Sequence, residues 1–474
     1  MDELDDMLEA AKRKPASTPL SDLVDDVAQY APPPKPVYRS AESPKEKKPP
    51  VEKKPTETKK DEGKPRADKY ITAIYLTLCV ISVVELYSAS SREVSAGHVF
   101  SPLVRHLVQM IIGIAICFGM SKISYRWLVP FTPVIVLVST IAMAFVLVGG
   151  DIINGARRGF TVAGMLILPA ELLKISAVLI IAWIMSRTQI KGGGVKNSGV
   201  VMCAVIVILF SGLLFTQGLT NTLLLMAISL SMMLVGGIEW KKFGIVCLMY
   251  GLIAGGALSF KINSDTDEKE GKEKTEKAEA GERGKTWANR ISRWGNDSIP
   301  KYDQPITAEN RQEMYSYMAQ ANGGVFGVIP GNSRETARLP LAFSDYIYSI
   351  VVEDLGLVGG MVLLIIYLSL LARAGIIASH CRKVFPALLI MGMAVMICFQ
   401  ALFHMAIVTG VFPVSGQPLP MISKGGMSIF VTSFAFGIML SVSRYAASKN
   451  KNKTKNKNVE LPKSMDAENP MLIK

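Results

Sequence analysis

The chain has 474 residues, half of them hydrophobic, with a mean hydropathy of +0.31 and a formal net charge of +13. So much apolar content excludes an ordinary soluble domain. A bilayer core of roughly 30 Å takes about 20 apolar residues per helix, and stretches of that kind recur from Tyr70 to Ala446. The positive charge is concentrated in the two tails and in short loops, which suits a membrane surface and excludes a nucleic-acid-binding domain.

Residues 1–69 are charged and polar, with a Pro/Lys-rich run from Pro32 to Pro65, and cannot bury enough surface to offset the entropy of ordering. They are expected to be a disordered basic cytoplasmic tail. Residues 70–446 are expected to form a membrane domain of about ten transmembrane helices. The spans centre near Leu78, Ile112, Leu137, Ile180, Val207, Ile228, Gly251, Leu363, Ala394 and Gly437. Residues 447–474 form a second basic tail. With both termini cytoplasmic, the inner loops carry Lys122, Arg126, Arg187, Lys191, Lys196, Lys241, Lys242, Arg373, Arg382 and Lys383. The outer loops are then poor in Lys and Arg, as the positive-inside rule requires. The predicted fold class is thus all-α and membrane-embedded.

One outer loop, residues 263–343 between the seventh and eighth spans, is far longer than the usual connection of about 4–6 residues. Residues 264–286 alternate acidic and basic side chains without apolar content and read as a solvated insert; the half from Trp287 to Asp345 is rich in aromatics and glycines and should be structured. Gly281-Glu-Arg-Gly-Lys-Thr286 imitates the end of a phosphate-binding P-loop but has Glu279 where that motif needs glycine.

Ionisable groups at membrane depth are costly and mark functional candidates. Glu171 and Lys174 stand at i and i+3; they could neutralise each other inside the bundle, or Lys174 could face a cavity holding an anion. Asn154-Gly-Ala-Arg-Arg158, in the outer loop before them, offers two guanidinium forks suited to phosphate oxygens, or simply two cations in water. Gln320-Ala-Asn-Gly-Gly-Val-Phe-Gly327 is a glycine-rich turn that lets backbone approach a ligand. Pro340-Leu-Ala-Phe-Ser-Asp345 leads into an apolar helix containing Glu353 and Asp354, so Asp345 falls near that helix's N-terminus as a cap, a base or a metal ligand. From Phe412 to Pro420 prolines preclude a continuous helix, and Lys424-Gly-Gly426 follows. Such irregular backbone is tolerated at membrane depth only where protein buries it or it lines a wet cavity.

The six cysteines form no CxxC, and His98, His106, His380 and His404 are scattered. Neither set suggests a metal or disulfide framework.

In order and spacing, these elements together resemble the SEDS family (shape, elongation, division and sporulation proteins). They are Asn154 to Arg158, Pro169-Ala-Glu171 with Lys174, Gly323-Gly324 with Gly327, Pro340 to Asp345, Glu353-Asp-Leu-Gly356, and Pro413 with Gly416 to Gly426. The likeness runs from about Tyr70 to Arg444. At Lys424 it departs from the family's usual tyrosine.

The resemblance implies a peptidoglycan glycosyltransferase that polymerises lipid II, carried on undecaprenyl diphosphate, at the outer face of the cytoplasmic (inner) membrane. It makes Asp345 the catalytic residue, with Arg157, Arg158, Lys174, Lys424, Gln320 and Ser344 as candidates for binding substrate or diphosphate. Asp345 could alternatively hold a divalent cation, Mg or Mn. The implied partners are a class B penicillin-binding protein and other membrane proteins of the division machinery. Within the family the long basic N-tail, Thr286-Trp-Ala-Asn-Arg290 and the C-tail are more similar to division-type (FtsW-like) members at the division site than to elongation-type (RodA-like) ones. The rival readings are a lipid II flippase or another transporter, a structural scaffold of the division machinery, and the elongation-type (RodA-like) polymerase.

Overall fold

The computed structural model describes residues 67–89, 101–153, 156–162, 165–190, 194–267, 294, 304–307, 310–339 and 342–457. The N-terminal tail to residue 66, most of the charged insert, the P-loop-like segment and the end of the C-terminal tail lie outside them.

Each expected span centre falls inside one helix. In chain order these helices are α1 (Lys69–Ala89), α2 (Ser101–Lys122), α3 (Leu128–Gly149), α4 (Pro169–Arg187), α5 (Asn197–Phe215), α6 (Leu219–Val235) and α7 (Trp240–Asp267). A shorter helix follows, α8 (Arg311–Gly323), and then α9 (Ile347–Ser379), α10 (Val384–Val408) and α11 (Gly426–Lys457). Among the described residues eight of the helices are long and apolar enough to cross a membrane; α6 is a shorter apolar helix of 17 residues, and α7 is not among the eight.

Several boundaries move. Helix α7 continues to Asp267, past the expected start of the outer loop, and α11 continues to Lys457, past the expected start of the C-terminal tail. The all-α reading also needs one amendment. The loop between α3 and α4 is a three-stranded antiparallel sheet of β1 (Asp151–Ile153), β2 (Ala156–Val162) and β3 (Met165–Ile167).

Helices α4 and α10 form the centre. Each is apolar all round and buried over most of its surface, the signature of a core helix. Helix α3 instead exposes Val134, Leu137, Val138, Ile141 and Phe145, a stripe with the composition of a lipid-facing surface. Helices α2 and α11 touch almost backbone to backbone: a side chain at Gly437 would lie 2.7 Å from Met120 Cβ and 2.8 Å from the Cys117 carbonyl. Small residues permit that close approach, and dispersion rewards it where lipid removes the hydrophobic drive.

At one end of the bundle Asp68 caps α1, accepting from the amides of Tyr70 and Ile71 at 3.0 Å each, while its own amide donates to Ser443 Oγ on α11. The Arg373 fork of α9 donates to the same carboxylate, Nη2 to Oδ2 at 2.6 Å and Nε to Oδ1 at 3.2 Å. Burial pushes the Asp68 carboxyl up, but Arg373 and the two amides outweigh it and hold it below the ordinary value. One residue thus ties three helices together, its carboxylate joining α1 to α9 and its amide reaching α11.

The opposite end is organised by a break in α9. Gly356 sits at φ 72°, ψ −176° inside the helix. Uninterrupted, the helix would bond Leu357 N to Glu353 O and Val358 N to Asp354 O. Instead Val328 N and Ile329 N donate to Glu353 O and Asp354 O, both at 2.9 Å, while Leu357 N and Val358 N donate to Gly324 O (2.9 Å) and Val325 O (3.2 Å). Two helical bonds are exchanged for four bonds to the segment after α8, so the carbonyls of Glu353 and Asp354 and the amides of Leu357 and Val358 all keep partners. The buried Glu353 carboxylate accepts from the Arg334 and Glu335 amides and from Ser333 Oγ, holding the chain as it leaves this joint.

Two predictions follow from these joints. Gly327 lies at φ 81°, where a Cβ would be 2.2 Å from the Asp354 carbonyl; Gly327→Ala should cost at least about 2 kcal/mol, read as a lowered Tm in detergent. Because the Asp68 value is depressed, its contribution is full above the unfolded value and is lost as pH falls through the folded one. The wild type should therefore lose stability on acidification through the carboxylate range more steeply than Arg373→Gln, by about 1 kcal/mol, in Tm measured against pH.

Candidate functional site

Strand β2 and the segments before α9 and before α11 converge at the Gly356 end of the bundle. The convergence is tightest at Gly416. A Cβ placed there would lie 2.8 Å from Asp345 Oδ2 and 3.5 Å from Arg158 Nη1, so glycine leaves room for a carboxylate and a guanidinium at one point. Both side chains are partly buried. Burial pulls the Arg158 guanidinium down from its ordinary value, and the Asp345 carboxylate opposes that shift. Asp345 stands two residues before α9, near the helix N-terminus as its position in the sequence implies.

The two arginines part company. Successive residues of a strand face opposite sides, and β2 sends Arg158 toward Asp345 while the exposed Arg157 donates from Nη1 to the Leu147 and Val148 carbonyls at the end of α3. A cation there complements the helix dipole and satisfies terminal carbonyls. Lys174 is likewise engaged elsewhere. Fully buried, it donates to Glu171 Oε1 at 2.8 Å and to Gln400 Oε1 at 3.3 Å, so the self-neutralising pair is what the fold contains. Gln320 donates from Nε2 to the Val408 carbonyl at 3.0 Å, fastening α8 to the end of α10. The glycines that follow it bring backbone close, but to the α9 break.

Ser344 and Lys424 do lie at the convergence. Ser423 Oγ donates to the Ser344 carbonyl at 2.7 Å, Lys424 N to the Phe343 carbonyl at 2.8 Å, and Lys424 Nζ rests 4.2 Å from the Phe343 ring centroid. These bonds dock the irregular segment 409–425 against the chain that carries Asp345. More side chains pin the same segment: Tyr367 Oη to the Pro420 carbonyl at 2.6 Å, His404 Nδ1 to that of Gln417 at 2.6 Å, Gln400 Nε2 to that of Pro418 at 3.4 Å, and Ser82 Oγ to that of Ile422 at 3.4 Å. Gln417 Nε2 reaches Asn221 Oδ1 at 2.9 Å, and Gln217 Nε2 reaches the Arg158 carbonyl at 3.4 Å.

Sequence reasoning passes over His404 and Gln400. Their signal is polar side chains at i and i+4 on one face of an otherwise apolar helix. Among the described residues no group of three or more His, Cys, Asp or Glu side chains is placed to hold a metal ion.

Similar proteins share this architecture. Residues 68–448 match the family described as FtsW/RodA/SpoVE cell cycle proteins. A probable peptidoglycan glycosyltransferase FtsW of Trichlorobacter lovleyi is 28% identical over 388 residues, covering 79% of this chain and 93% of the relative. The peptidoglycan glycosyltransferase MrdB of Escherichia coli is 24% identical over 382 residues, covering 80% and 94%. In fold, the chain is similar to the rod shape determining protein RodA of Thermus thermophilus, with a TM-score of 0.56 at 21% identity over 80% of this chain and 97% of that one. A structure described as showing coordination of polymerization and crosslinking by a peptidoglycan synthase complex contains a chain similar at a TM-score of 0.60 and 22% identity, over 80% of this chain and 98% of that one. With four-fifths of its length matched, this multi-pass membrane protein belongs to the FtsW/RodA/SpoVE family.

Proposed function

We infer that the chain is a peptidoglycan glycosyltransferase that polymerises lipid II at the outer face of the cytoplasmic membrane during cell division. The observation that carries the reading is the meeting of Asp345 and Arg158 at Gly416 in a member of this family. Relatives named as probable FtsW support the division role, and the peptidoglycan synthase complex supports a class B penicillin-binding protein as partner, together with other division-site membrane proteins.

In the proposed reaction a sugar hydroxyl attacks the anomeric carbon of a second lipid-linked sugar. The new C–O bond forms as the bond to the diphosphate oxygen breaks, and the hydroxyl proton passes to the Asp345 carboxylate. The leaving group carries its charge away as lipid diphosphate. Arg158 lies beside Asp345 in a half-buried setting, where a fixed cation stabilises developing negative charge far better than in water. Lys424 is the next cation along the docked segment. Arg157, Lys174, Gln320 and Ser344 contribute mainly by holding the frame that presents this pair. Asp345 is also the side chain that would hold a Mg or Mn ion. Such an ion commonly completes its oxygen shell from substrate phosphate and water, and when bound it would neutralise diphosphate charge.

The test is polymerisation of lipid II by the purified chain with its transpeptidase partner, read as glycan products on a gel. Asp345→Ala should lose about 100- to 10,000-fold in rate while keeping its Tm, and Arg158→Ala about 100-fold. Arg157→Ala should stay within about threefold, because its guanidinium serves the α3 carbonyls. Gly416→Ala should fold yet lose about 10-fold, since its methyl displaces the Asp345 carboxylate. Equal polymerisation by wild type and Asp345→Ala would sink the catalytic role, and transport of lipid II across sealed vesicles without polymer would favour a flippase.

A further inference from the structure

His404 is completely enclosed in α10, one turn beyond Gln400. Its Nδ1 lies 2.6 Å from the Gln417 carbonyl. A carbonyl only accepts, so Nδ1 carries the proton and Nε2 presents a bare lone pair. That lone pair is buried and has no hydrogen-bond partner among the described residues. An orphaned acceptor of this kind is destabilising, and an apolar side chain of similar size would avoid that penalty. Packing alone therefore does not explain a histidine here. What the imidazole supplies is the single bond to Gln417.

That bond acts on a very short stretch of chain. Gln417 N donates back to the Ser415 carbonyl at 3.0 Å, closing a tight turn with Gly416 at its corner. Gly416 is the residue against which the Asp345 carboxylate and the Arg158 guanidinium meet. On the far side of the turn Gln417 Nε2 is tethered to Asn221 at 2.9 Å. One main-chain carbonyl thus lies between the histidine and the meeting point. The neighbouring prolines, Pro413, Pro418 and Pro420, have no amide hydrogens with which to form a regular ladder, so side chains must hold this backbone in place.

We propose that His404 is a positioning residue for glycan polymerisation: by donating Nδ1–H to the Gln417 carbonyl it sets the Ser415–Gln417 turn at the height where Gly416 admits Asp345 beside Arg158. The proposal rests on the glycosyltransferase reading. His404 touches neither reacting group, and its effect is on how often the pair is correctly seated, so it should appear in kcat with little change in KM.

The side-chain amide of Asn places its nitrogen where Nδ1 stands, whereas that of Gln places it near Nε2, so the two amides separate a directed bond from mere polarity. In full-length protein with its transpeptidase partner and lipid II, His404→Asn should retain kcat within about threefold. His404→Leu and His404→Gln should each lose about 10-fold or more at a KM within about twofold of wild type. Circular dichroism and Tm check that each variant is folded. Full kcat in His404→Leu, or equal rescue by Asn and Gln, overturns the proposal. So does a loss in His404→Leu that appears wholly in KM. Absence of polymer from the wild type would instead overturn the glycosyltransferase reading beneath it.

Discussion

In a bilayer a buried peptide group must find its hydrogen-bond partner within the protein, and the site end of this molecule is an answer to that demand. Two stretches of irregular backbone converge there, and each is satisfied differently. The break at Gly356 is repaired by main chain, with the segment after α8 accepting and donating where α9 cannot. The proline-dense segment before α11 is held by side chains, from Ser82 on α1, Tyr367 on α9 and both Gln400 and His404 on α10. Asp345 lies between the two repairs. Hydrogen bonds of its neighbours, Ser423 to the Ser344 carbonyl and Lys424 N to that of Phe343, help fix where it stands.

Charge is distributed under the same constraint. Deep in the bundle the cation Lys174 is neutralised by Glu171 within one helical turn, which limits the penalty of burying either. At the site end a half-buried carboxylate and guanidinium share a place that chain geometry imposes on residues 158 and 345, with Gly416 as the gap between them. The first arrangement maintains structure. The second brings opposite charges together at a gap in the backbone.

Much of this architecture is legible in the sequence, and the parts that are not share a cause. The ten apolar runs each mark a helix because a long apolar stretch must satisfy its backbone within itself. Among the described residues only eight of these helices are both long and apolar enough to span by composition. Asp345 stands out because it opens an apolar helix after a long polar loop. The division of labour between Arg157 and Arg158 is not legible from a loop reading; it needs the strand, whose earliest sign is the Asn154-Gly155 pair typical of a tight hairpin. The glycines at 323, 324 and 327 announce close backbone approach correctly, but they do not say to what. His404 escapes because its spacing from Gln400 marks a polar face but not its partner, a carbonyl brought near only by tertiary folding.

The clamp between α9 and the segment after α8 has a consequence for how the chain tolerates insertion. Forty-odd residues separate the end of α7 at Asp267 from the start of α8 at Arg311, and all of them precede the clamp. Both the insert's return point and the strand of chain leading to Asp345 are tied to α9 by its own displaced carbonyls and amides. The chain that leads to Asp345 therefore starts from a fixed point on α9, whatever the length of the loop before α8. The loop is also joined to the site end directly, because Trp294 Nε1 donates to the Gly410 carbonyl at 3.0 Å.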